Sequence, residues 1–350
     1  MKWEPVRLSP VEYVNEVGIL KQINQIISEK NYLEPVILTD DRVIQVSKSF
    51  LPNSFYEHHR VIIFKGHATY AEIDRIVSLL ESADVLVALG GGQLLDTAKS
   101  VVNKGNIDFI NIPTIASNCA AITTKSMIYS EENHELVGRQ RHNKPVQLVL
   151  VDPLLLKHTP TSYLLSGIGD TLAKYYEIRR RLYVPEAQGA VLDIARTTIE
   201  IAKERTLEIN DLNQIDDQTF VNLLDTIFLV AASVDGFAAT RGRSVAAHSF
   251  HNGYLKAIDH PAKTHGEIVA FGILVQLAIE NEKAELAKMK KFYQTLGLPT
   301  QLADLHLSAQ TETIHIIAKS ITASDNDRIQ TVYHNLTEQT VYAAINSLAG

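Results

Sequence analysis

Four side chains are of types that hold metal ions or move protons: Asp170, His248, His251 and His265. One carboxylate with two imidazoles, leaving coordination positions open, is a common way to hold a catalytic zinc. The same donors suit iron(II) or another divalent ion. His248 and His251 stand three residues apart in Ala246-Ala-His-Ser-Phe-His-Asn-Gly253, so a capped or surface pair is the plain alternative. His251 also suits a place behind a ligand, near the reacting oxygen but not on the metal. A second group is Gly90-Gly91-Gly92, which follows the apolar run Val85–Leu89 and leads into Gln93-Leu-Leu-Asp96-Thr-Ala-Lys99. Glycines between a strand and a helix let backbone N–H groups approach an anion, and the helix N-terminus adds partial positive charge. That is phosphate-site chemistry, although the spacing is not GxGxxG and a tight turn alone would use the same residues. Asp40 closes another apolar run, Pro35-Val-Ile-Leu-Thr39. Its carboxylate could accept hydrogen bonds from an adenosine ribose and would repel a 2′-phosphate, or it could simply cap a helix with Asp41.

The elements that carry these residues change character along the chain. Apolar runs of strand length at 35–39, 61–64, 85–89, 109–112 and 148–151 alternate with helical stretches such as 71–82 and 94–104. A helix is expected over 10–29, where Val14, Ile19, Leu20, Ile23, Ile26 and Ile27 recur at helical spacing. Near-continuous apolar strands between helices indicate a parallel sheet covered on both faces. Ser126–Tyr129 could open a hairpin. After Pro153 helical periodicity takes over, through 162–181, 185–206, 217–237, 244–257, 266–295, 311–322 and 338–348. The expected division is therefore an α/β nucleotide-binding domain over 1–152 and an all-helical, metal-binding domain over 153–350. A chain of 350 residues is long enough for two such cores.

Composition narrows the function. With 33 basic against 40 acidic side chains the net charge is −7, which offers no basic stripe for nucleic acid and no cationic face for a membrane. No uncharged apolar run approaches the ~20 residues that span a bilayer. The N-terminal segment lacks the apolar stretch of a signal peptide. Cys119 is the single cysteine, so no internal disulfide can form. A cytoplasmic protein acting on a small molecule is the expectation.

Five segments in order, GGGQLLDTAK (90–99), IPTIAS (112–117), GIGD (167–170), AAHSFHNG (246–253) and HGEIVAFGILVQ (265–276), resemble the iron-containing alcohol dehydrogenase superfamily, in particular its glycerol dehydrogenase branch. The resemblance implies a Rossmann-like parallel-sheet domain, a helical domain of the dehydroquinate synthase-like fold, and an active site in the cleft between them. It implies NAD as cofactor, NADP being possible, held by Gly91, Gly92, Asp96, Thr114, Ser117 and Tyr129 with Asp40 at the ribose. It also implies one divalent ion on Asp170, His248 and His265, usually zinc in this branch, with iron as the alternative. A homo-oligomer, dimer or larger ring, is the accompanying expectation.

Two departures bear on the substrate. Cys119 stands where glycerol dehydrogenases carry an aspartate that contacts a substrate hydroxyl. Lys174 stands where iron-binding members have a fourth ligand, a histidine. Both features are similar to the bacterial hydroxycarboxylate dehydrogenases of the superfamily, which reduce small 2-oxo acids. A substrate carboxylate beside Lys174 or Arg243 would accommodate a buried cation, whereas Lys174 could instead pair with Glu177 or face solvent. The expected reaction is reversible hydride transfer between a nicotinamide and a small polar alcohol or carbonyl, a 2-hydroxy acid/2-oxo acid pair first and glycerol or another polyol second. His251 is the candidate proton relay. A dehydroquinate synthase-like lyase would start its metal set with glutamate and carry several cations for a phosphate-bearing substrate, so Asp170 and the neutral Ser117-Asn-Cys-Ala-Ala121 turn count against it. A non-catalytic nucleotide-binding regulator would be expected to have lost part of the metal set.

Overall fold

The computed structural model describes residues 5–132 and 135–350. The chain forms two compact units. One comprises Arg7–Pro160 together with Phe220–Gly236, and the other contains Thr161–Thr219 and Phe237–Gly350.

The first unit is built on a six-stranded parallel sheet. Its strands are β1 (Glu12–Asn15), β2 (Pro35–Thr39), β3 (Arg60–Ile63), β4 (Val85–Gly90), β5 (Asp108–Pro113) and β8 (Leu148–Val151). Across the sheet they run in the order β1-β8-β5-β4-β2-β3. Two further strands, β6 (Lys125–Tyr129) and β7 (Leu136–Arg141), form a separate antiparallel hairpin. Every residue of β4 and β8 is buried, as both-face coverage requires. Chain order reverses beside β2: β3 pairs with one edge of it and β4 with the other. At such a switch point the loops at the carboxyl ends of neighbouring strands diverge and leave a crevice, the usual ligand position of an open parallel sheet. Asp40 and Gly90 lie at those ends of β2 and β4.

Two expectations need correction. Residues 10–29 are not one helix: Glu12–Asn15 pairs parallel with Leu148–Val151, and helical structure begins only at Ile19, after Gly18 at φ +79°. Val14 therefore shares apolar spacing with Ile19 and Ile23 without sharing their helix. The stretch 266–295 is likewise two helices, His265–Ile279 and Lys283–Leu296, interrupted where Asn281 takes φ +56°.

The helical run Asp217–Gly242 is apolar and long enough to cross a membrane by length and composition. It nevertheless carries Asp225, which receives hydrogen bonds from Tyr13 and Asn15 of β1, and Asp235, which pairs with Lys125 at 3.0 Å. Those partnerships mark its stretch Phe220–Gly236 as packed within the sheet unit.

The second unit is helical. Helix Thr161–Leu182 carries Asp170, helix Ala246–Ala257 carries His248 and His251, and His265 opens helix His265–Ile279. Glycines let these helices touch backbone to backbone. A Cβ on Gly169 would lie 2.0 Å from the Gly266 carbonyl oxygen, and one on Gly272 would lie 2.4 Å from that of Ala247. Real Cβ atoms cannot approach so closely, so the Asp170 and His248 helices both close onto the His265 helix only because these positions are glycine.

Candidate metal centre and cofactor turn

That close packing brings ligand atoms of Asp170, His248 and His265 within 4.8 Å of one another. Asp170 Oδ1 lies 3.4 Å from His248 Nε2 and 3.5 Å from His265 Nε2. Tetrahedral zinc with bonds of ~2.1 Å needs ligand atoms about 3.4 Å apart, so the donor set fits a divalent cation. Each contributor has a local reason for its place. Asp170 projects from the middle of its helix. His265 is the first residue of its helix, whose start is locked by a capping box between Thr264 and Glu267. Gly266 N–H donates to Ser166 Oγ at 2.9 Å and ties that start to the Asp170 helix.

Charge and burial explain the protonation of the centre. Burial pushes the Asp170 carboxyl up, but the Lys174 ammonium and the two imidazoles overcome it and hold the group well below the usual carboxylate range. Burial opposes the charged form of His248 too, yet the Glu177 and Asp170 carboxylates push it up to about 9. His251 goes the other way: burial, with His265 and His248 beside it, lowers it far below the ordinary histidine value. Its Nε2 lies 3.0 Å from His265 Nδ1 and its Nδ1 lies 3.3 Å from Asn252 Oδ1.

Lys174 lies one turn beyond Asp170 on the same helix. Glu177, weighed above as a partner for Lys174, has its oxygens bonded by His248 and by the start of the His248 helix. Arg243 holds Asp327 through two 2.8 Å hydrogen bonds at the surface, so its guanidinium already has a carboxylate partner.

In the sheet unit, Gly91 precedes helix Gly92–Gly105 as its cap. A Cβ on Gly91 would come within 2.9 Å of Ile115, and one on Gly92 would meet the Asn118 amide at 3.3 Å. The turn is thus a cradle that side chains would fill, as backbone approach to a pyrophosphate requires. Thr114 N–H donates to the Gly90 carbonyl at 3.1 Å, which joins the ends of β4 and β5. Asp40 caps the next helix by accepting from Val43 N–H at 2.8 Å. Asp96 is buried against Lys99 at 2.7 Å and accepts from Met127 N–H at 2.9 Å. Burial raises its pKa against the pull of Lys99. Tyr129 is raised by burial and by Asp96. Ser117 is half-buried in the following turn, and Cys119 is buried there. Cys119 supplies the carbonyl that Ile122 and Thr123 N–H groups bond.

The roles of two residues escaped the sequence reading. Glu177 follows Asp170 at i+7 and Lys174 at i+3, a charged stripe along one helix face that could have been noticed. Lys99, almost fully buried, donates to Asp96, to the Ala120 and Lys125 carbonyls and to Thr123 Oγ1, and so pins the glycine-led helix to the turn and the hairpin. No local signal distinguishes it from a surface lysine.

The chain as a whole is similar to known proteins in sequence and in fold. Residues 10–153 match the iron-containing alcohol dehydrogenase family model. Hydroxycarboxylate dehydrogenase A of Escherichia coli (strain K12) is 30% identical over 362 residues, covering 99% of both chains. A glycerol dehydrogenase of Pseudomonas putida is 27% identical over 353 residues, covering 96% of this chain and 95% of the other. The crystal structure of a probable glycerol dehydrogenase from Sinorhizobium meliloti 1021 superimposes with a TM-score of 0.79 at 26% identity, over 97% of this chain and 96% of that one. The chain belongs to the iron-containing alcohol dehydrogenase family. It is an oxidoreductase of the glycerol dehydrogenase type, acting on CH–OH groups of small molecules, and the family implies NAD(H) and a metal.

Proposed function

We propose that the enzyme interconverts small 2-oxo acids and 2-hydroxy acids using NAD(H) and one divalent ion, zinc being the first candidate. The observation that carries the reading is the convergence of Asp170, His248 and His265 at one ligand point beside Lys174. When bound, the ion would polarise a carbonyl oxygen and the nicotinamide would supply or accept the hydride. Lys174 offers a charge partner for a substrate carboxylate, which a neutral polyol lacks. Cys119 removes the acceptor that a polyol hydroxyl would use. Gly91 and Gly92 leave room for the cofactor pyrophosphate, with Thr114, Ser117, Tyr129 and Asp96 around the turn, and Asp40 stands where the ribose would bind. His251, 3.0 Å from His265 Nδ1, steadies that ring. The name of the Escherichia coli relative supports the acid reading. The glycerol dehydrogenases among the relatives support glycerol or another polyol as the second.

The deciding experiment is a spectrophotometric screen with zinc present: NADH and NADPH oxidation with 2-oxo acids, against NAD reduction with glycerol and diols. Higher kcat/KM for 2-oxo acids is expected. Robust glycerol oxidation without reduction of any 2-oxo acid would return the enzyme to the polyol reading.

A further inference from the structure

Glu177 is a carboxylate with almost no exposure, 2% of its side chain, on the helix that carries Asp170. Neither the ligand set nor hydride transfer calls for it. Its Oε1 accepts from Val245 N–H at 2.7 Å and His248 N–H at 3.0 Å, the first N–H groups of the His248 helix. Its Oε2 lies 2.6 Å from His248 Nδ1. An ionised carboxylate only accepts, so the nitrogen facing it carries the proton. The lone pair of a neutral His248 is then on Nε2, the atom 3.4 Å from Asp170 Oδ1. One buried side chain therefore both starts the helix and sets the ring that the helix presents.

We propose that Glu177 is a positioning residue of the metal centre, holding His248 in the Nδ1–H tautomer with its Nε2 lone pair aimed at the point shared with Asp170 and His265. The inference rests on the reading of those three residues as metal ligands. A carboxylate behind a ligating imidazole fixes its orientation and raises its basicity, and losing such a partner costs roughly ten- to hundredfold in metal affinity. The E177Q substitution separates this role from capping. If the new amide keeps the two backbone N–H groups with its carbonyl oxygen, its NH2 faces Nδ1. That nitrogen must then accept, and the proton moves to Nε2, where the metal belongs.

The test compares zinc dissociation constants, by competition with a chelating indicator, for metal-stripped wild type, E177Q and H265A, with circular dichroism to verify folding. The expected result is tight binding by wild type, strong loss in H265A, and a drop of about ten- to hundredfold in folded E177Q. Unchanged zinc affinity in E177Q beside a weakened H265A would overturn the inference and leave Glu177 a helix cap. Equal affinity in wild type and H265A would instead overturn the ligand reading itself. If E177Q does not fold, the imidazole 15N spectrum of zinc-loaded wild type decides without any variant: His248 must be protonated at Nδ1, and a proton on Nε2 sinks the inference.

Discussion

His265 faces Asp170 with Nε2 while its Nδ1 rests 3.0 Å from Nε2 of His251, so one ring of the cluster is held by another. If His265 ligates through Nε2, its Nδ1 must carry a proton and donate to His251, and His251 in turn donates from Nδ1 to Asn252. Replacing His251 by Ala should therefore lower zinc affinity about ten- to hundredfold and reduce kcat/KM with it. A fall in kcat with unchanged zinc affinity would favour the proton-relay role instead.

Gly266 should tolerate no side chain. A Cβ there would lie 1.8 Å from the Ser166 carbonyl oxygen, backbone against backbone, with no flexible group to yield. Gly266→Ala is expected to lose at least the ~1–3 kcal/mol of ordinary overpacking in urea unfolding and to weaken metal binding. Wild-type stability would mean that the two helices separate at little cost.

Metal affinity should depend on pH through His248. Burial disfavours its charge, but Glu177 and Asp170 outweigh that and raise the group from 6.5 to about 9 in the metal-free protein. The raised value means that protonated His248 stabilises the metal-free fold fully below its ordinary value of 6.5. That contribution fades as pH rises through about 9. Binding must displace the same proton, so apparent zinc affinity should rise about tenfold per pH unit up to that point and flatten above it. Competition titrations from pH 6.5 upward check this, and a flat profile would contradict it.

Cofactor choice should follow Asp40. Its carboxylate caps a helix through Val43 and stands at the end of β2, where a 2′-phosphate would meet negative charge. NADH should be preferred over NADPH. Asp40→Ser keeps a capping oxygen while removing the charge, and should narrow that preference in kcat/KM. Equal use of both cofactors by wild type would remove Asp40 from the ribose.

Lys174 should discriminate substrates by charge. Replacing it by Met should raise KM for a 2-oxo acid about ten- to hundredfold, the worth of a charged hydrogen bond of roughly 1.5–3 kcal/mol, and leave a neutral ketone nearly unaffected. Equal effects on both would assign Lys174 to structure.

The sequence alone was enough to place the strands β2, β4, β5 and β8, because buried parallel strands are short, continuously apolar and bounded by turns. The glycine turn and the four metal-type side chains were candidates in the sequence, the first by its place between strand and helix and the second largely by the family resemblance. The sequence could not separate Glu12–Asn15 from the helix that follows, since the strand exists only through pairing with β8, far along the chain. Nor could residue type and spacing, without the family resemblance, rank His248, His251 and His265. Which ring nitrogen faces Asp170, and which faces Glu177 or another histidine, depends on how three helices cross, and that is set by backbone contact at Gly169, Gly266 and Gly272. The Arg243–Asp327 pair was illegible for the same reason: the two residues are distant in sequence and adjacent only in the folded chain.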